Sequence, residues 1–482
     1  MTNSVKNTFC WIVILLFSTS SLAQTSDWLP LDQGLFCDSF PTTSVYDLYV
    51  DTVENEIYAT GTMHHDGNCN PLEGLGKWDG ESWEMLGEVD NSTSYSSVIY
   101  NGDLIASGPF LFVDIIGYPN NTNIWTGTEW DTIPGGPFGN IMEFYEWDDV
   151  LYAVGDISYQ GDAVTGLAVY YDGESWASLS EHSTDSDITL CIERFQDNFF
   201  VGGGAVFTNG LGEDIYKIFF FDGEYYRPVG QGLQEYPGSW VGDLAVFNDK
   251  LYLSGNLKLP GSDNLYSILT FDGDSLRPIE NQPNYSVRNM RVHEGALYIA
   301  GGFTQVGDVE AEHVARFDGE SWLAVNTDSM FSKTGFYQGL GHPTVIRDFE
   351  IMQDTLYLSG EFYRMSQDTV RGVAKLNKNL ITDFPPIPNS VSEEVRSPIR
   401  FELYPNPSSG NLSFAWSQAK AGNVEWKITD LKGRVVLSKK SKHFKLGKHE
   451  EQMNLEHLPP GTYLVKVTTT EGTATERWVK VE

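Results

Sequence analysis

The sequence predicts an all-β protein, a seven-bladed β-propeller followed by a small immunoglobulin-like β-sandwich, and three observations carry that prediction. Two short motifs alternate along the chain and recur seven times, with intervals of 47, 46, 50, 50, 46 and 59 residues between successive copies of the second. Glycine, asparagine and aspartate cut each repeat into four short apolar runs, the pattern of strands joined by tight turns. The repeats stop at a proline-rich break, Pro385-Pro386-Ile387-Pro388, beyond which a different set of short runs begins. Composition agrees: 47 glycines, 13% aromatic residues and 20% charged ones in 482 residues suit many turns around a packed core, and exclude a disordered chain.

Residues 1–23 read as a signal peptide. Lys6 supplies the positive start, and Trp11 to Phe17 is an apolar run too short to span a bilayer. Ser21-Leu22-Ala23 places small residues before a cut at Gln24, while Cys10 precedes the apolar run and is not placed to carry a lipid. No later stretch approaches 18 apolar residues, so no transmembrane segment is expected in the mature chain.

Residues 24–384 are assigned to the propeller. The first motif, an apolar-aromatic run closing on glycine, stands at Ile57–Gly61, Leu104–Gly108, Leu151–Gly155, Phe199–Gly203, Leu251–Gly255, Leu297–Gly301 and Leu356–Gly360. The second, aromatic-Asp-Gly, follows at Trp78, Tyr171, Phe221, Phe271 and Phe317, with degenerate copies at Trp125 and Leu376. Each repeat then reads as strands a to d. Strand a precedes the first motif, strand b is that motif, strand c ends in the second motif, and strand d opens on a large residue such as Trp83, Trp130, Trp176 or Trp322. The Asp-Gly pairs are expected to make two-residue hairpins with both central φ angles positive. Four-stranded units at this period are propeller blades. Residues 28–34 look like a strand d without a blade before it, and are expected to complete the seventh blade and close the ring. The paired glycines after strand b (Gly202-Gly203, Gly301-Gly302) and the Phe317/Trp322 spacing resemble kelch repeats, and the phrase from Leu297 to Trp322 resembles the repeats of Rax2-type surface proteins. That resemblance implies the fold and leaves the activity open.

Residues 385–399 read as a linker, and 400–482 as a sandwich of short alternating strands. Here Tyr404-Pro405-Asn406-Pro407-Ser408-Ser409-Gly410, Asp430-Leu431-Lys432-Gly433-Arg434-Val435 and Gly461-Thr462-Tyr463-Leu464-Val465-Lys466-Val467 occur in order. Together they resemble the type A sorting domain of the Bacteroidota type IX secretion system. The resemblance implies a partner, the type IX machinery, engaged through residues 400–482. It also implies a route through the periplasm and across the outer membrane to the cell surface or the medium.

Charge is split between the two parts. Residues 400–482 hold 13 basic and 9 acidic residues, and the remainder 18 and 57, a net of −39. A body that acidic repels nucleic acid and anionic membranes. It suits cations, neutral glycans or basic partners, or simply solubility.

Candidate ligand residues fall where the long b–c and d–a loops gather. The longest loop, 323–344, carries Phe336, Tyr337 and His342. Aligned strands a place Asp47, Ser96, Glu143, Cys191, Asp243, Asn289 and Asp348 in one column, with Glu193, Arg291 and Glu350 among those two positions on. Four carboxylates in a ring (Asp47, Glu143, Asp243, Asp348) are able to bind Ca²⁺ or a sugar, or merely to line a wet channel. His64, His65 and Asp66 have metal-ligand chemistry, although adjacent histidines rarely face one ion. Cys37 and Cys69 fall on the same face, and an exported protein favours their bridging. No Gly-x-Ser-x-Gly or His-Glu-x-x-His motif occurs, and no firm cofactor or catalytic residue follows from the sequence. The expected function is therefore a non-enzymatic glycan- or protein-binding module. The alternatives are an extracellular polysaccharide hydrolase or lyase and a structural envelope protein.

Overall fold

The computed structural model describes residues 27–37, 44–87, 93–108, 121–133, 135–158, 166–180, 188–326, 330–331, 345–365, 368–384, 401–418, 422–430, 434–445, 447–469 and 472–481. The signal-peptide and linker assignments lie outside them. Every helix or strand assigned among them is a β-strand. From Trp28 to Leu376 they build seven antiparallel sheets of four strands each. The innermost strands are Ser44–Asp51, Ser96–Tyr100, Phe138–Trp147, Thr189–Phe195, Trp240–Phe247, Val287–His293 and Val345–Met352. Each contacts the innermost strand of the next sheet, and Val345–Met352 contacts both Val287–His293 and Ser44–Asp51, so the series closes into a propeller-like ring.

Turn chemistry sets the registers. Asn101-Gly102, Asp148-Asp149 and Asn248-Asp249 are two-residue loops with positive φ at both positions, as a primed hairpin turn requires. The Asp-Gly pairs differ from the expectation. Trp78 pairs with Trp83, so that loop has four residues, and of Asp79 and Gly80 only the glycine has positive φ (101°). The Asp79 side chain does the turning: its Oδ1 accepts the N–H groups of Glu81 and Ser82 at 2.8 Å. Asp172, Asp222, Asp272 and Asp318 repeat the arrangement. The motif aspartate is thus an Asx-turn acceptor that folds the loop back on itself.

The last sheet is Val345–Met352, Thr355–Glu361, Val373–Leu376 and, as its outer strand, Trp28–Pro30. Trp28 lies opposite Leu376 and is fully buried. Asp27 Oδ1 meets Lys378 Nζ at 2.7 Å beside this ladder.

The recurrent glycine of strand b has a steric cause. In six of the seven sheets the pairing of strands a and b shifts by one residue at the same place, between Val45 and Asp47 in the first and Ile346 and Asp348 in the last. The bulge pushes a strand-a carbonyl against the glycine. A Cβ on Gly61, Gly155 or Gly301 would lie 2.1, 2.0 or 2.4 Å from the oxygens of Ser44, Asn140 or Ser286. Gly155→Ala is therefore expected to destabilise the ring by about 2 kcal/mol, read as a lowered denaturant midpoint. An unchanged midpoint would show that the bulge relaxes freely.

Residues 401–480 form a separate pair of sheets. One contains Phe401–Tyr404, Asn411–Gln418 and Gly447–Asn454, and the other Val435–Phe444, Gly422–Asp430, Gly461–Thr469 and Gly472–Lys480. Trp416, Trp426 and Trp478 fill the core between them.

Candidate functional site

The bulge also builds the site, because it splits six of the seven inner strands into two kinds of position. Residues just past it form the acidic column, and the bulged residues themselves turn toward the mouth of the ring.

The column carboxylates are fasteners between sheets. Asp47 Oδ2 accepts the N–H of Ser97 (3.2 Å), Glu143 Oε2 that of Ile192 (2.8 Å), Asp243 Oδ2 that of Met290 (2.5 Å) and Asp348 Oδ2 that of Leu48 (2.9 Å). Each acceptor thus reaches one residue past the column position of a neighbouring sheet, and the Asp348–Leu48 bond joins the last sheet to the first.

Arg291 enters the same ring. Its Nε lies 2.8 Å from Glu350 Oε1, Nη1 3.3 Å from Asp243 Oδ2 and Nη2 3.4 Å from Asp348 Oδ1. Asn289 adds an N–H to Asp348 at 2.9 Å. Of the four ring carboxylates expected to be able to take Ca²⁺, two, Asp243 and Asp348, already meet this guanidinium. Among the described residues no group of three His, Cys, Asp or Glu is placed to hold a metal ion.

Burial dominates the electrostatics. It pushes Asp47 and Glu143 well above the usual carboxylate range, reinforced by Asp348 at Asp47 and by Asp243 at Glu143. Asp243 is pushed up to about 6 and Asp348 to about 7 by burial, against the pull of Arg291. Burial disfavours the Arg291 charge, yet Glu350, Asp348, Asp243 and Glu143 outweigh it and hold that group well above its ordinary value. The sign of the stability effect follows. An aspartate titrates near 4 when unfolded, so between there and about 7 the folded ring binds more protons than the unfolded chain. Stability therefore falls as pH rises through that window. Melting curves across it should show this slope, and Asp348→Asn should flatten it; an unchanged slope in the variant would assign it to other groups.

The bulged residues and their neighbours line a cavity of about 380 Å³ whose floor includes Asp47, Glu143, Asp243 and Asp348. Its wall holds Tyr46, Tyr95, Trp240, Arg288 and Arg347. Tyr46 and Tyr95 stack at 5.8 Å, with the Arg347 guanidinium 5.8 Å above Tyr46. Arg347 Nε also meets Glu361 Oε1 at 3.1 Å. Arg288 lies 5.4 Å over Trp240. Gly242 makes room for that indole, since a Cβ there would approach it to 2.1 Å.

Phe336, Tyr337 and His342 lie outside the described residues. Asp66 is buried and spends its carboxylate on its own loop, accepting the N–H groups of Asn68 and Asn70 and the Asn70 side-chain amide. His64 faces Glu73 at 3.6 Å, and His65 pairs with Pro71. Cys37 and Cys69 are joined by a disulfide. Cys191 is a buried free thiol on the cavity wall, its pKa raised by burial. The wall residues were the part that reading the sequence missed.

Comparison with known proteins adds the following. Residues 402–481 match the family described as the secretion system C-terminal sorting domain. That domain marks the chain for export to the cell surface or for secretion. Among solved structures, the chain is similar to PorZ, an essential bacterial surface component of the type-IX secretion system of Porphyromonas gingivalis. Identity is 12% and TM-score 0.36, over 90% of this chain and 65% of PorZ. The chain thus spans about 65% of the length of that protein. It is also similar to the β-propeller domain of the Trilobed protease from Pyrococcus furiosus, with 10% identity and TM-score 0.38, over 71% of this chain and 99% of that one. No curated protein matches the chain.

Proposed function

We propose that this protein is a non-enzymatic glycan-binding module. In this reading residues 24–384 form a seven-bladed, kelch-like propeller, displayed outside the cell after residues 400–482, an immunoglobulin-like sandwich, engage the type IX machinery. The observation that carries the binding reading is the mouth cavity. Three aromatic rings and two arginines surround a polar floor, the mixture of apolar wall and few oriented polar groups that small-ligand sites use. Hydrolysis is the weaker reading. Glycoside cleavage needs two carboxyl groups flanking the scissile bond and available to it. Here each column carboxylate already holds a neighbouring backbone N–H.

The test is a glycan array probed with the purified full-length chain and with Trp240→Ala, with and without Ca²⁺. A specific signal that falls at least about tenfold in the variant supports the reading. A blank array with the wild-type chain overturns it and turns the search to a protein partner.

A further inference from the structure

The arginines at the mouth are held in different ways. Arg347 is tied to Glu361, and Arg291 to three carboxylates. Arg288 lines the same cavity and makes no hydrogen bond or ion pair among the described residues; its contact is the face of Trp240. Burial lowers its pKa and Arg347 nearby lowers it further, while Glu361 and Tyr285 pull it partly back up. The half-buried Arg288 guanidinium thus keeps its donors unspent among the described residues, in a fork that matches a carboxylate. A cation–π attraction to the Trp240 indole, 5.4 Å away, helps hold the guanidinium at the mouth.

The acidic floor does not oppose this. Asp47, Glu143, Asp243 and Asp348 are turned to backbone N–H groups, and Asp243 and Asp348 also meet Arg291. Burial raises the pKa of Asp47 and Glu143 well above the usual carboxylate range, and Arg291 offsets the charge of Asp243 and Asp348. The site is therefore acidic in composition but cationic at its open edge.

We propose that the ligand is an acidic saccharide of the uronate class, its carboxylate on Arg288, a ring against the aromatic wall of Trp240, Tyr46 and Tyr95, and its hydroxyls toward the floor. This rests on the glycan-binding reading and narrows it. A carboxylate on a protein C-terminus offers the same charge. The saccharide is favoured because the cavity sets three aromatic rings, Tyr46, Tyr95 and Trp240, beside its polar floor.

The experiment is titration calorimetry of the full-length chain with uronate trimers (galacturonate, glucuronate, mannuronate and guluronate), each beside its methyl ester, which keeps the shape and removes the charge. At least one acid should bind, with its ester about tenfold to a hundredfold weaker, the loss of one charge-assisted contact. Arg288→Leu should bring the acid down to the level of its ester, and Arg288→Lys should restore part of the difference. The ester comparison uses the wild-type chain, so it does not depend on the variants folding. Equal binding of acid and ester, or array hits confined to neutral glycans, overturns the uronate assignment while leaving glycan binding in place. No binding by any saccharide overturns both. Binding instead by peptides with a free C-terminal carboxylate, lost in Arg288→Leu, assigns the mouth to a protein partner and overturns the proposal.

Discussion

Trp28→Ala should lower the unfolding free energy by about 3–5 kcal/mol, the cost of removing a fully buried aromatic side chain. Two contributions coincide at this residue. Its indole is completely buried, in the same core cluster as Ile346, Phe349, Leu356, Leu358 and Leu376 of the last sheet. Its backbone belongs to a strand of only three residues that completes that sheet from the other end of the chain. Ring closure over more than 300 residues carries a large loop entropy, which local contacts at the closing strand must offset. The cavity left by the indole lies at that closing ladder, so unfolding should begin there. Denaturant midpoints of the full-length chain provide the measurement. Leu29→Ala serves as the control: its side chain is only half-buried on the alternate face, and a shift of about 1 kcal/mol or less is expected. If Trp28→Ala melted like Leu29→Ala, the closing strand would be an ornament on a ring held by its inner strands.

Much of this architecture was legible because it is local. The motifs that recur in each repeat, the two-residue turns at Asn101-Gly102 and Asn248-Asp249, and the strand d pattern at Trp28–Pro30 all follow from residue types a few positions apart. The Asp-Gly loops were misjudged for a local reason too. The dipeptide fits a primed turn, but in Asp222-Gly223-Glu224-Tyr225 the aspartate side chain captures two N–H groups two and three residues ahead, and the loop lengthens to four. The bulge had a signal that alternation alone overlooks. Val45 and Leu48, Val241 and Leu244, Val287 and Met290, and Ile346 and Phe349 are buried apolar pairs three residues apart, and an unbroken strand of period two does not place such residues on one face. One residue in each interval must therefore leave the ladder, and those residues (Tyr46, Gly242, Arg288, Arg347) shape the mouth. Arg291 was visible as a position but not as a role. Its side chain reaches Asp243 and Asp348 on the two neighbouring sheets, and a contact of that reach depends on how close the sheets pack, which no spacing along the chain records.

Arg291→Met should be the second severe variant, again costing about 3–5 kcal/mol near pH 8, the range for removing one partner from a buried ionic cluster. Methionine replaces the aliphatic stem tolerably, so the loss is electrostatic: Asp243, Asp348 and Glu350 would face one another without the guanidinium that now lies within 3.4 Å of all three. That origin predicts a pH dependence that a packing defect would lack. Without Arg291 the two aspartates should titrate higher than the values of about 6 and 7 that they have beside it. Lowering the pH toward 5 protonates them in the folded state, relieves the repulsion and brings the variant back toward the wild type. Combining Arg291→Met with Asp348→Asn should recover part of the loss at pH 8 for the same reason. A deficit equal at pH 5 and pH 8 would mean that Arg291 acts through its packing against Phe349. The carboxylate ring would then regain open groups for a ligand, and the division between a structural floor and a binding wall would have to be redrawn.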